Sequence, residues 1–245
     1  MRVLILGGTS EAMALARLLA RELQMEAVYS LAGRTSQPET PPVRHRSGGF
    51  GGVEGLAAFL RDGGFHAVID ATHPFAAQMS RHAALACAAT GLPLCALTRP
   101  PWQAGPGDIW HEVADLSQAA MALGKTPQRV FLTTGRLGLQ AFEAAPQHFY
   151  LIRSIDPLVP PPALDHFTLL ARPPFTVESE MDLMRREKTG VLVTKNSGAH
   201  ATAAKLEAAR NLRLPVIMVQ RPALPAVPQF STPGAVLEWL DGMHG

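Results

Sequence analysis

The chain has 245 residues, a formal charge of +2, 47% hydrophobic and 17% charged residues, the profile of a globular protein with ample core for one large or two small domains. So balanced a charge gives no case for a nucleic-acid partner, no apolar run approaches the roughly 18 residues of a membrane span, and a cytoplasmic protein is expected. The two cysteines, Cys87 and Cys95, fall on a predicted helix and the next strand without metal-type spacing, so they read as buried small residues in a reducing compartment and no metal is expected.

The chain opens on "VLILGGTSEAMALARLL", Val3 to Leu19: an apolar strand, a glycine turn and an amphipathic helix. A strand followed at once by such a turn is not a signal peptide. Candidate strands follow at Arg2–Leu6, Ala27–Leu31, near Val43, His66–Asp70 and Pro93–Leu97, with helices at Glu11–Glu22, Val53–Arg61 and Pro74–Ala89. This alternation predicts a parallel, doubly wound sheet.

"TRPPWQAGPGDIW", Thr98 to Trp110, is rich in Pro and Gly and has no period, so it reads as a linker or domain-crossing loop. A second series has strands near Val130–Thr133, Phe149–Arg153, Phe167–Ala171, Gly190–Thr194 and Pro215–Gln220. Its helices lie near Leu137–Ala144, Val177–Glu187 and Ala199–Arg210, and a last short helix spans about Pro233–Leu240. The expectation is an α/β protein of two Rossmann-like domains with parallel sheets, residues 1–98 and 99–245, and a cleft between them.

Ligands of such sheets bind beyond the carboxyl ends of the strands. After the first strand stand Gly7, Gly8, Thr9, Ser10 and Glu11. Gly7 permits a tight turn, the helix start suits an anion, and Thr9 and Ser10 can cap the helix and donate hydroxyls to a phosphate. Thr9 and Ala12 replace the second and third glycines of the dinucleotide fingerprint. Glu11 would repel a close phosphate, so it is expected to face a ribose or an Arg. After the second strand, Arg34 occupies the place where an acidic residue would bind the ribose of NAD; an arginine there suits the 2′-phosphate of NADP.

"RSGGFGG", Arg46 to Gly52, puts four glycines around Phe50, which suits either a close backbone approach or a mobile surface loop. In "DATHPFA", Thr72 and His73 either cap a helix starting at Pro74 or face the nicotinamide and ribose, with His73 a candidate proton donor. In the second half Arg136 follows one strand, and Lys195, Asn196, Ser197 and Gly198 follow another. Lys195 and Arg136 could clamp carboxylates while Asn196 and Ser197 donate hydrogen bonds; helix capping by Asn196 or Ser197 is the alternative. The Tyr-x-x-x-Lys pair, the P-loop lysine motif and the Gly-x-Ser-x-Gly elbow are all absent.

Together, "LILGGTSEA", "AGRT", "GGFGG", "DATHPFA", "TTGR" and "VTKNSG" resemble the precorrin-6A reductase family of cobalamin biosynthesis, from Leu4 to about Gly198. The resemblance implies NADPH-dependent reduction of a tetrapyrrole, precorrin-6A to precorrin-6B, and transient contact with neighbouring pathway enzymes. It places Gly7 to Glu11 at the cofactor pyrophosphate and ribose and Arg34 at the 2′-phosphate. Gly51, Thr72 and His73 then lie nearer the nicotinamide. Arg136 and Lys195 to Gly198 would meet the substrate carboxylates. The same reaction on a cobalt-loaded substrate, a non-catalytic NADP-binding sensor and a cofactor-free tetrapyrrole enzyme such as a uroporphyrinogen synthase remain alternatives.

Overall fold

The computed structural model describes residues 1–33 and 39–243. Its elements run β1 (Arg2–Leu6), α1 (Ser10–Leu19), β2 (Glu26–Leu31), β3 (Arg44–Ser47), α2 (Gly52–Asp62), β4 (Ala67–Asp70), α3 (Ala77–Thr90) and β5 (Leu94–Leu97). Next come β6 (Trp110–Val113), α4 (Leu116–Ala122), β7 (Arg129–Leu132), β8 (Phe149–Ser154), β9 (His166–Leu170), α5 (Val177–Arg186), β10 (Val191–Lys195), α6 (Ala204–Asn211) and β11 (Val216–Val219). The chain then forms β12 (Gln229–Phe230) and α7 (Pro233–Asp241), and short 3-10 segments occupy Arg136–Ala144 and His200–Thr202. Two compact units result, Met1–Pro100 with Ala223–Gly245, and Pro101–Pro222.

The first unit is a parallel sheet in the order β12-β5-β4-β1-β2-β3. Successive strand residues face opposite sides, so Val3 and Ile5 join Leu15 of α1 and Val236 of α7 in one core, while Leu4 and Leu6 join Leu56 of α2 and Ala83 of α3 in the other. Burial on both faces explains why β1 is an uninterrupted apolar run. The expected boundary at residues 98 and 99 needs one correction, because the tail does not belong to the second unit. Gln229 and Phe230 pair with Ala96 and Leu97, and Val236 and Leu240 complete the first core. A two-residue strand in a proline-rich stretch has no hydrophobic period to reveal it.

The second unit has the order β6-β11-β10-β7-β8-β9, again parallel. β6 lies where an irregular linker was expected to end. Helix α4 was also unforeseen, although Asp115 caps it by accepting from the Gln118 N–H at 2.8 Å. Each sheet has the 3-2-1-4-5-6 Rossmann order; the outermost place is filled in the first by β12, which returns after the second unit, and in the second by β6, which precedes the other strands of its own unit. In both, the strand order reverses between the first and fourth strands: β1 and β4 in one unit, β7 and β10 in the other. Those reversals open the crevices where ligands of such sheets bind.

Candidate functional site

At the first crevice, Gly7 is required by contact. A Cβ there would lie 2.1 Å from Cζ of the buried Tyr29 ring. The Gly7 N–H continues the ladder to Ser30 O at 2.9 Å, and the Gly8 N–H donates to the Tyr29 hydroxyl at 3.0 Å. Gly8 has φ +118°, a backbone state glycine adopts without strain. The Thr9 hydroxyl accepts from the Ala12 N–H at 3.1 Å and donates to Ala71 O at 2.8 Å. The expected capping by Thr9 is therefore present, and the same hydroxyl ties the β1 turn to the loop after β4. Ser10 donates to Glu11 Oε2 at 3.1 Å, so its hydroxyl too is engaged within the turn. The open first N–H groups of α1 still favour an anion.

Glu11 faces an arginine: Arg99 Nη1 lies 2.5 Å from Glu11 Oε2. The guanidinium offsets a carboxylate that would otherwise oppose a phosphate at this helix start. Arg99 is the residue that local reading of the turn missed, since 88 positions separate the partners. Arg34 lies outside the described residues, so the 2′-phosphate assignment keeps its basis in sequence.

The glycine loop before α2 is held from within. Arg46 donates to Ser30 Oγ at 2.9 Å, to Gly48 O at 3.0 Å and to Gly49 O at 3.0 Å, with its guanidinium 4.1 Å from the Phe50 ring centroid. Gly51 sits at the N-cap of α2 with φ 83° and no side-chain cap. Gly55 lets the Phe50 carbonyl reach α2, since a Cβ there would fall 1.8 Å from that oxygen.

After β4, the Asp70 carboxylate accepts from the Thr72 hydroxyl at 2.6 Å and from the Thr72 N–H at 3.1 Å. This local turn replaces the expected capping by Thr72 or His73: Pro74 and Phe75 form a separate turn, and α3 begins at Ala77 with Ala76 as its cap residue. His73 is exposed at the crevice, and its Nδ1 accepts from the Phe75 N–H at 3.2 Å. The neutral ring therefore carries its proton on Nε2.

At the second crevice, Arg136 is exposed and opens the 3-10 segment after β7. The Thr134 hydroxyl beside it is buried without a hydrogen-bond partner. Lys195 ends β10, and burial holds its ammonium pKa below the usual range. Asn196 is 2% exposed. Its Oδ1 accepts from the Trp102 N–H at 2.7 Å, and its Nδ2 donates to Trp102 O at 3.0 Å. These two bonds commit the amide oxygen and one Nδ2 hydrogen to the backbone of Trp102. The Ser197 N–H closes a turn on Lys195 O at 2.7 Å, and Gly198 has φ 71°. A separate cavity of about 400 Å³, lined by Trp102, Trp110, Phe175, His200 and Arg210 among others, includes none of Arg136 and Lys195–Gly198.

Two parallel Rossmann-ordered sheets, one with a glycine turn at its crevice and the other carrying Arg136 and Lys195, place the chain among the doubly wound α/β proteins. The family model described as "Precorrin-6x reductase CbiJ/CobK" matches residues 2–241, and the chain belongs to that family. It is 51% identical over 245 residues to the precorrin-6A reductase of Rhodobacter capsulatus, covering 100% of this chain and 97% of that one. The solved structure "CobK precorrin-6A reductase" superposes with a TM-score of 0.93 at 50% identity, covering 99% of this chain and 96% of that one. The cobalt-precorrin-6A reductase of Priestia megaterium is more distant, 28% identical over 244 residues and covering 94% of each chain. Among the described residues no group of three or more His, Cys, Asp or Glu could hold a metal, and no helix is long and apolar enough to cross a membrane.

Proposed function

We propose that this oxidoreductase reduces precorrin-6A to precorrin-6B with NADPH, in the cytoplasm. The observation that carries the cofactor assignment is the β1 turn, where Gly7 leaves no room for a Cβ and Arg99 offsets Glu11 beside the open start of α1. These features fit a pyrophosphate, with Gly51 and Thr72 on the ribose and nicotinamide side. Arg34 is assigned to the 2′-phosphate, which favours NADPH over NADH. The nicotinamide, when bound, supplies the hydride that reduces the macrocycle.

The protein's own part is chiefly alignment and charge. Arg136 and Lys195 bind the acetate and propionate side chains, and an incoming carboxylate favours the protonated Lys195 against its burial. The Thr134 hydroxyl, buried without a partner, is a further donor at that crevice. His73, protonated to the imidazolium at the expense of its Phe75 N–H contact, delivers the Nε2 proton to the carbon neighbouring the reduced one and returns to a neutral ring. The 51% identity to a precorrin-6A reductase against 28% to a cobalt-precorrin-6A reductase supports a metal-free substrate.

The test is anaerobic nicotinamide oxidation with precorrin-6A and with its cobalt form, using NADPH and NADH in turn. Turnover that needs the metal-free substrate and prefers NADPH is the expected result. Turnover with the cobalt form alone moves the chain to the other branch, and tight NADPH binding without turnover on either makes it a sensor. Arg34→Ala is expected to weaken NADPH by about tenfold or more, about 1.4 kcal/mol, while leaving NADH unchanged. Equal losses for both cofactors would remove the 2′-phosphate role.

A further inference from the structure

The loop after β10 is pinned from two places that lie far away in sequence. The side-chain amide of Asn196 pairs with both the N–H and the C=O of Trp102, as a neighbouring strand would, at 2.7 and 3.0 Å. The Asn196 N–H meanwhile continues the sheet to Val219 O at 2.8 Å. From the other side Arg221 donates through Nε to Asn196 O at 3.0 Å and through Nη2 to Ser197 O at 3.1 Å, so one guanidinium grips two successive carbonyls. Trp102 follows Pro100 and Pro101, and Arg221 precedes Pro222; these prolines stiffen the two segments that supply the anchors.

The energetic case follows from burial. Asn196 is 2% exposed and Ser197 is 7% exposed, so each polar group lost from the set is stranded away from water. Full satisfaction of the set leaves the backbone of residues 195–198 one arrangement, and with it the direction in which Lys195 leaves the strand. Neither Asn196 nor Arg221 needs to touch substrate to matter.

We propose that Asn196 and Arg221 are positioning residues, which fix the Lys195–Gly198 loop so that Lys195 meets a substrate carboxylate. The proposal rests on the assignment of Lys195 to substrate made above. Asn196→Asp keeps the acceptor for the Trp102 N–H but sets an oxygen against the Trp102 carbonyl. Arg221→Lys keeps the charge and loses the two-carbonyl fork.

The experiment is a double-mutant cycle on kcat/KM for precorrin-6A, with Lys195→Ala crossed against Asn196→Asp and against Arg221→Lys. NADPH affinity, read by protein fluorescence, reports the first unit independently and is expected to hold in every variant. Each single variant is expected to lose about tenfold, mostly in KM, and Asn196→Asp to cost less than about twofold once Lys195 is gone. Costs that multiply in full would overturn the positioning role while sparing the Lys195 assignment. An unchanged KM in Lys195→Ala would overturn both. Arg221→Lys matching the parent enzyme would remove Arg221 from the device.

Discussion

Gly7→Ala tests the contact that shapes the β1 turn. The added Cβ would sit 2.1 Å from Tyr29 Cζ, 2.2 Å from Cε1 and 2.5 Å from the hydroxyl, where ordinary contact begins near 3.4 Å. The ring must retreat by about 1.3 Å (3.4 less 2.1 Å), yet Tyr29 is 1% exposed within the core that holds Leu15 and Ile69. Overpacking of this kind costs about 1–3 kcal/mol. Moving the hydroxyl also breaks its bond to the Gly8 N–H, about 1 kcal/mol more. The sum, about 2–4 kcal/mol, corresponds to a fall of roughly 6–16 °C in the first unit's midpoint at about 3–4 °C per kcal/mol. Thermal melts followed by circular dichroism would read it, alongside NADPH titration, which should weaken as the turn shifts. Tyr29→Leu supplies the control, because its shorter side chain lacks the colliding atoms. In that background Gly7→Ala should cost less than about 1 kcal/mol. An equal cost in both backgrounds, or none in the parent, would refute the steric argument.

Other consequences can be checked with the same protein. Lys195→Ala should raise KM for precorrin-6A while leaving NADPH affinity intact, and the reverse pattern would put Lys195 at the cofactor. His73→Gln should lower kcat by about a hundredfold and remove an ionisation from the pH–rate profile, whereas an unaltered profile would exclude it as proton donor. Arg99→Met should weaken NADPH binding by leaving Glu11 uncompensated, and Glu11→Gln in the same chain should restore much of the loss; no recovery would refute the charge argument. Burial pushes the Lys205 ammonium down to about 7, with the Arg153 charge adding to the fall and Glu180 opposing it. An unfolded lysine titrates near 10.5, so the unfolded chain binds more protons between these values, and the second unit should gain stability as pH rises from about 7 towards 10. Lys205→Met should abolish that rise in denaturant melts, and an unaltered slope would assign it elsewhere.

What was legible in the sequence was what short-range chemistry dictates. β1 reads as a strand buried on both faces because Val3, Leu4, Ile5 and Leu6 leave no polar face, and both sheets follow from strands alternating with helical periods. The loops after β1, β4, β7 and β10 could be proposed as sites because glycines and small polar residues end those strands. The first turn of α3 was misread because Pro74 suits a helix start, while Asp70 takes both donor groups of Thr72. Long-range contacts left no local signal: Arg99 reaches Glu11 across 88 positions, and Asn196 reaches Trp102 across 94. An asparagine committed to a distant backbone looks, in one dimension, like one that awaits a ligand.

The return of β12 and α7 to the first sheet bears on the order in which the molecule is made. Synthesis places Pro101–Pro222 ahead of Gln229 and Phe230, the residues that pair with Ala96 and Leu97. The nascent second unit therefore has every strand of its sheet while the first still lacks its sixth strand and the apolar face of α7. The crevice assigned to the cofactor is seated on the sheet completed last, so a released chain that ends at Pro222 should hold a finished second unit and an unfinished cofactor platform.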